Sequence, residues 1–547
     1  MFFGLLYDCF LALLIGGLSF FCRFGFNLRV LHPHSYDWLL EGDMAQSFVG
    51  WLFFYFEPWH TPWANLSHYM PPMHVSLALT DSHPWFSALM KALAPLGEKP
   101  LQFIGAWLLF CFFMQALFAL KIARLVLRSR WQQLLLTTLL TASPVLLYRV
   151  GHVSLCAHWL ILASIYLCLR QQDSLKFFFA WFGLLFLASL THPYFLPSVA
   201  LFCLGFYLLP LRQGPFPGKR QILLKLTKAF LAIAGAFLGL ALVGLERGSD
   251  RQGLPNFYGA DVLGIFNPQA LSLFLPELWK SRMGQYEGYS YLGLGVILLL
   301  CLSLRLFVRY RSRILWSWNR SLGWQSVALV SLALAVFSWG SDVRLAGHWV
   351  VNLRPLYELT EPLTASFRAI GRFHWAFCYV LTISSFVFAS RFLPAQHTQL
   401  ILTAAVALQL IDLSPYAHWK GIAEHPRPRL EGTTWSQIAQ HFDSIVIYPP
   451  YVIPDFKGEE QSERVDYIPL AIFAAQQGLQ LHSGAFAATS EQGLRAYLHS
   501  LRDDFESGHL SADTLYVLRE DKLSEATQKG LSCMTLDLYH LCAKTWP

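Results

Sequence analysis

Charge is scarce in this chain. Asp, Glu, Lys and Arg make up 14% of its 547 residues, where a soluble globular protein carries roughly a quarter. That shortage excludes an ordinary soluble enzyme. Cys-x-x-Cys pairs are absent, which removes zinc-ribbon and iron–sulfur chemistry. No His-x-x-x-His pair occurs, so a dedicated metal site on a helix is not expected. There is no internal repeat, which a transporter built from two related halves would be expected to show. There is no low-complexity tract either.

What is present is apolar. Hydrophobic residues make up 55% of the chain and aromatics 16%, so most of it must be embedded in lipid. A helix crossing the hydrocarbon needs about 20 mostly apolar residues. About eleven such stretches can be read, the first from Phe2 to Phe24 and the last from Leu400 to Leu413. The basic residues gather in alternate loops, among them Lys121, Arg124, Arg128 and Arg130, then Lys219, Arg220, Lys225 and Lys228, then Arg305, Arg309, Arg311 and Arg313. Asp173 is the one acid expected in those loops. Basic loops mark the cytoplasmic side, so the N-terminus is expected in the cytoplasm. The net charge of +7 then reports topology and gives no argument for a nucleic-acid partner. The first segment lacks a basic n-region and a small-x-small cleavage site, so it is expected to stay as an anchor.

The fold class expected is an all-α polytopic bundle over residues 1–413, followed by a soluble extracytoplasmic α/β domain over 414–547. Within that domain Ser444–Tyr448 and Thr514–Val517 read as buried strands. Pro469–Gln477 and Glu491–Leu501 read as helices. Cys533 and Cys542 both fall there; a disulfide could form in an oxidising compartment, and spacing alone leaves the pairing open.

The first outer loop, residues 25–100, concentrates chemistry. It holds Asp37, Glu41, Asp43, Glu57 and Asp81 among many aromatics, including Trp38, Trp51, Tyr55 and Trp59. Leu40–Phe56 is expected to be an amphipathic helix lying at the membrane interface, with its aromatics at headgroup level. Glu41 and Asp43 are two apart and would not share a helix face. They are expected in a turn before that helix, with Gly42 supplying an unusual backbone angle. An N-cap role for Asp43 competes with a chemical one, and a turn-initiating role competes for Asp81. The outer histidines, His60, His68, His74, His83, His152, His192, His348 and His374, are expected mainly as hydrogen-bonded cavity or interface residues.

Several stretches carry a family resemblance: GDMAQSFVGW (42–51), TDSHP (80–84), GHVSLCAHWL (151–160), THPY (191–194), GQYEGYSYLG (284–293) and FRAIGRFHW (367–375). With a long acidic first loop and an appended outer domain, the chain resembles the GT-C glycosyltransferase superfamily. It is closest to a family of bacterial polytopic membrane proteins related to that superfamily. The resemblance implies interfacial helices in the first loop. It also implies an inverting transfer from a polyprenyl-phosphate sugar to a glycan or glycolipid acceptor, on the periplasmic face of the inner membrane. The acid motif lies deeper in the loop than the superfamily pattern has it, which leaves Asp37, Glu41 and Asp43 open as the base.

The residue types suit that chemistry. A carboxylate can take the proton of the attacking hydroxyl, and the departing phosphate needs cationic partners. Asp43 is the expected base, Glu41 supports or replaces it, and Asp81 is the second acid. Arg368, Arg372, Arg354 and His192 are expected at the donor phosphate. A helical start would put Arg368 and Arg372 on one face. Glu287, Tyr289, His152 and Trp51 are expected around sugar or acceptor. No metal ligand set is expected, although Asp43 with Asp81 could hold a divalent cation such as Mg or Mn against the phosphate. The competing class is a flippase, transporter or polymerase of the cell envelope without this chemistry.

Overall fold

The computed structural model describes residues 2–26, 28–73, 75–94, 99–212, 218–245, 258–319, 321–364, 367–417, 427–450, 452–453, 464–487 and 491–546. His74 of the expected outer histidines lies outside them. The chain divides into two compact units. The first comprises Met1–Asn27, Ala106–Gly239 and Gln252–Lys420, and the second Leu28–Gly105, Leu240–Arg251 and Gly421–Pro547. The expected boundary near residue 413 follows the chain, whereas compactness groups the first loop with the C-terminal part.

The first unit is helical. Among the described residues, six segments are long and apolar enough to cross a membrane: Gly4–Phe24, Ile104–Val126, Arg130–Gly151, Val153–Arg170, Lys219–Leu242 and Ile370–Phe392. Shorter apolar helices cover Leu175–Thr191, Phe195–Leu211 and Leu322–Ser338. These segments mark a multi-pass membrane protein. Two faces of Lys219–Leu242 show why its sequence suits lipid. Phe230 and Phe237 are exposed, while Ala229, Ala232, Gly235, Ala236 and Gly239 are buried. Small residues let the backbone approach Phe182 and Ser189 of the helix Leu175–Thr191 closely. The helices Leu294–Asn319 and Ala395–Asp412 both pack on Trp375–Phe392. Asp412, fully buried, accepts bonds from the Tyr291 hydroxyl (2.8 Å) and the Leu294 amide (3.0 Å).

The unit also carries a hairpin of β1 (Asp342–Leu345) and β2 (His348–Asn352).

The second unit holds β3 (Ser444–Tyr448), β4 (Val452–Ile453), β5 (Gln480–Leu481), β6 (Gly484–Ala485), β7 (Thr514–Leu518), β8 (Ser532–Leu536) and β9 (Tyr539–Ala543). Five of them form one sheet in the order β5-β3-β7-β9-β8. The first three are parallel and the last two antiparallel. β7 is buried along its whole length, as expected for a strand that reads as an unbroken apolar run. Helices Tyr467–Gln477 and Glu491–Ser507 stand where the sequence placed helices. Cys533 and Cys542 face each other across β8 and β9 and form a disulfide.

The first loop is built into this unit. Tyr69 pairs in parallel with Leu481 at the edge of β5. The Leu481 amide donates to the His68 carbonyl, and the Met70 amide to the Leu481 carbonyl, both at 2.8 Å. The Tyr69 hydroxyl donates to the Ala485 carbonyl and accepts from its amide. The helix Gly42–Phe56 packs on Tyr467–Gln477. Here the expectation of an interfacial helix is corrected. Phe48, Val49, Trp51 and Leu52 are wholly buried, and Phe53, Phe54 and Tyr55 nearly so. A helix apolar on every side is a core helix, and protein covers this one, not headgroups.

Candidate functional site

In the second unit, Glu41 occupies the cap position of the helix Gly42–Phe56, with extended backbone and no side-chain cap bond. Gly42 takes φ 55°, the left-handed angle expected of it. Asp43 lies in the first helical turn rather than before it, where a carboxylate complements the helix dipole. Glu41 and Asp43 are exposed, and burial begins at Met44. The acid motif is thus the open end of an otherwise buried rod.

The Asp81 turn is pinned to the same helix. The Ser47 hydroxyl donates to the Asp81 carbonyl at 2.9 Å, and the Ser82 hydroxyl returns a bond to the Ser47 carbonyl at 2.6 Å. Ser47 follows Asp43 by four residues, so the two share a helix face. The turn therefore abuts the face that carries Asp43. Asp81 and the neighbouring His83 both have left-handed backbone, φ 60° and 49°. Gly50 makes the approach possible: a Cβ there would overlap the Thr80 side chain and lie 2.7 Å from Ser82 Oγ. Gly50→Ala is expected to cost about 1–3 kcal/mol by overpacking and to push the Asp81 turn off the helix. A fall in thermal stability with a rise in proteolysis near residue 81 would report it; unchanged behaviour would mean that the contact is soft.

Other first-loop residues prove structural. Trp51 is corrected: it is fully buried, its indole N–H donates to the Leu101 carbonyl at 2.6 Å, and its ring meets Phe103 edge-on. Glu57, at the far end of the helix, accepts from the Ser67 and His68 amides at 2.8 and 2.9 Å. Burial raises its pKa, but these bonds and the His68 ring outweigh it and hold the carboxyl below its ordinary range. His60 and His68 lie 3.5 and 3.4 Å from the same carboxylate, so both serve Glu57.

In the first unit, three charged side chains converge. Glu287 accepts from Arg149 at 2.7 Å and, through both of its oxygens, from Arg372 at 2.9 Å each. Arg149 also donates to the Tyr286 and Glu287 carbonyls. All three residues are buried. Glycine brings them together: a Cβ on Gly371 would lie 2.5 Å from the Gly288 Cα, so the segments carrying Arg372 and Glu287 cross backbone to backbone. Burial works against a charged Glu287, yet Arg149 and Arg372 outweigh it and hold the carboxyl far below the usual range. Two guanidiniums on one carboxylate leave one positive charge in excess. Aromatic rings enclose it: Arg149 lies 5.1 Å over Tyr148 and 5.3 Å over Trp375, and Arg372 4.4 Å over Tyr194.

The family is decided by where its description fits. A family described as a domain of unknown function, DUF6311, matches residues 13–414, and the DUF6311 C-terminal domain matches 434–544. The chain belongs to the DUF6311 family. No curated protein matches it.

Within this DUF6311 chain the remaining expected residues sort by exposure. Glu287, expected around sugar or acceptor, is buried with both carboxylate oxygens engaged by arginine. Tyr289, also expected around sugar or acceptor, is buried, stacks on Tyr148 at 4.3 Å and bonds to the Tyr416 hydroxyl. Arg368 and Arg372 do not share a helical face. Residues 367–369 are not helical, Arg368 is exposed beside the Tyr258 ring, and Arg372 is buried. Arg354 is exposed and pairs with Glu358 one turn on, at 2.9 Å. His192 is buried, with its Nδ1 accepting from the Tyr194 amide, and its ring lies 6.1 Å from that of His152. Sequence reasoning missed Arg149. Its signal was an arginine at the end of an apolar stretch, on the side where basic residues are few; a charge there is a functional or structural pair until shown otherwise.

Proposed function

We propose that this DUF6311 chain is a membrane glycosyltransferase of GT-C type, with about eleven spans. It would use a polyprenyl-phosphate sugar donor and act on a glycan or glycolipid acceptor at the periplasmic face of the inner membrane. Residues 1–413 would form the GT-C-like membrane domain and residues 414–547 the periplasmic domain. The observation that carries the reading is the exposed Glu41-Gly42-Asp43 end of a buried helix, with the Asp81 turn held against its Asp43 face. A carboxylate fixed on a rigid element is what a general base requires. The disulfide between Cys533 and Cys542 supports an oxidising compartment for that part of the chain.

In the step itself the acceptor hydroxyl gives its proton to the Asp43 carboxylate. The hydroxyl oxygen forms the new bond to the anomeric carbon from the side opposite the lipid phosphate. The old carbon–oxygen bond breaks, and its electron pair leaves with the phosphate, so the anomeric configuration inverts. Cationic partners stabilise that leaving charge. Arg368 and Arg354, both exposed, are proposed for that role, while Arg372, held by Glu287, is a positioning residue. Asp43 and Asp81 suit a divalent cation such as Mg or Mn by donor type. The test is to incubate the purified full chain with a polyprenyl-phosphate sugar and acceptor glycan, with and without EDTA. Donor consumption with release of lipid phosphate is expected. Lipid translocation without donor cleavage would replace the reading.

That second reading, a flippase or transporter, is favoured by one observation: the buried Arg149–Glu287–Arg372 cluster with its surplus charge, of the kind found along ion and substrate paths.

A further inference from the structure

The second unit contains a cavity of about 280 Å³ directly beside the acid motif. Its wall includes Leu40, the residue before Glu41, together with Tyr36 and Asp37 of the first loop. The stretch from Arg427 to Glu431 also lines it, as do Ile472 and Phe473 of the helix Tyr467–Gln477. Lys99 stands at its edge. Three cations therefore line it, Lys99, Arg427 and Arg429, against two acids, Asp37 and Glu431.

The cations are not equivalent. Arg427 is committed to the fold, since it bonds both the Leu40 carbonyl and the Asp466 carboxylate. Arg429 is held loosely. It lies 3.5 Å from Asp37, with both side chains more than half exposed, and 5.3 Å over the Tyr36 ring. Tyr36 is in turn backed by Phe48 of the buried helix at 5.2 Å. An exposed pair at that distance is worth little, so an incoming anion can displace Asp37 at small cost. The guanidinium stays aimed by the ring beneath it.

We propose that this cavity binds an anionic sugar, the carboxylate- or phosphate-bearing unit of an acceptor glycan. Arg429 and Lys99 take the charge. Ile472 and Phe473 take an apolar face of the ring, and Gln476 and Glu431 are placed for its hydroxyls. A site with an apolar lining and a few convergent polar groups is the general form of a small-molecule pocket. The name acceptor rests on the transfer reading, because Leu40 of the cavity lies three residues before Asp43, the residue expected to deprotonate the acceptor; the binding itself does not.

The test measures binding to the full chain in detergent, without donor, by titration calorimetry. The probes are glucuronate, glucose 6-phosphate, glucose and inorganic phosphate. Glucuronate and glucose 6-phosphate are expected to bind at least about tenfold more tightly than glucose, an arginine–anion contact being worth about 1.5–3 kcal/mol, and more tightly than phosphate through the ring contacts to Ile472 and Phe473. Arg429→Gln should lose that tenfold while melting at the wild-type temperature, and Lys99→Gln should lose part of it. Equal binding of glucose, equal binding of inorganic phosphate, or an unaffected Arg429→Gln variant would each overturn the proposal. Anionic sugar binding in a chain that cleaves no donor would leave the pocket standing and remove the transfer reading. Transfer to an anionic acceptor with KM unchanged in Arg429→Gln would do the reverse.

Discussion

Asp43→Asn is expected to lower sugar transfer by about 10²–10⁴-fold, the range that a positioned general base contributes. The fold should survive, because Asp43 is exposed in a first helical turn whose stability comes from the buried stretch after it. Losing one charge at a helix N-terminus costs about 0.3–1 kcal/mol, too little to unfold a helix with that much buried surface. Donor-lipid binding should persist as well, since the substitution removes a proton acceptor and little volume. The measurement is transfer to acceptor beside retention of radiolabelled donor lipid by the same preparation. Three companions separate the acids. Glu41→Gln tests the cap position, and Asp81→Asn the pinned turn. Asp37→Asn should act on the Arg429 cavity and spare the chemical step. Full activity in Asp43→Asn would sink the assignment of the base, and loss in Glu41→Gln alone would move it by two residues.

The second large effect is on stability. Glu287→Gln removes the carboxylate charge that buried Arg149 and Arg372 share, and breaking a buried ion pair from one side costs about 3–5 kcal/mol. Thermal unfolding in detergent should show a steep loss, and Glu287→Asp a partial one. Arg372→Lys should also be costly, because an ammonium cannot reproduce the two-pronged contact to both Glu287 oxygens. Replacing all three charged residues with apolar ones of similar size should recover much of the stability, since the charges are then removed together. A Glu287→Gln variant as stable as the wild type would show that the cluster is hydrated in the membrane. The acid limb follows from linkage. The folded state depresses the Glu287 pKa, so its contribution is complete above the ordinary carboxylate range and is lost as pH falls toward the depressed value.

How much of this was legible beforehand depends on the range of the interaction. Ser444–Tyr448 reads as a strand because four β-branched or aromatic residues, Ile445 to Tyr448, sit between turn signals. Pro469–Gln477 reads as a helix, and the structure starts it two residues earlier at Tyr467, where Asp466 caps it by accepting from the Ile468 amide. Gly42–Phe56 was readable as a helix but not as a buried one. A helix apolar on all sides looks the same whether lipid or protein covers it, and only the packing of Tyr467–Gln477 against it decides. The charged residues behave alike. Arg372 was legible as a charge near an apolar segment, yet its partner Glu287 lies 85 residues away and Arg149 lies 138 from that partner.

The sequence by itself determined the membrane class, the apolar segments, and the helices and strands of the C-terminal part. All of these rest on composition and on periodicity within a few turns, which hydration and backbone geometry read locally. The acid motif was visible too, as carboxylates that few other features of a lipid-bound chain would explain. Only the tertiary structure decided that the first loop and the C-terminal part form one compact unit, and that Trp51 is core. It also decided that Glu287 answers two arginines. Those outcomes depend on close approaches such as Gly371 on Gly288 and Gly50 on Thr80, between backbones far apart in the chain. No periodic signal in a single sequence encodes which distant surface will come to cover a residue.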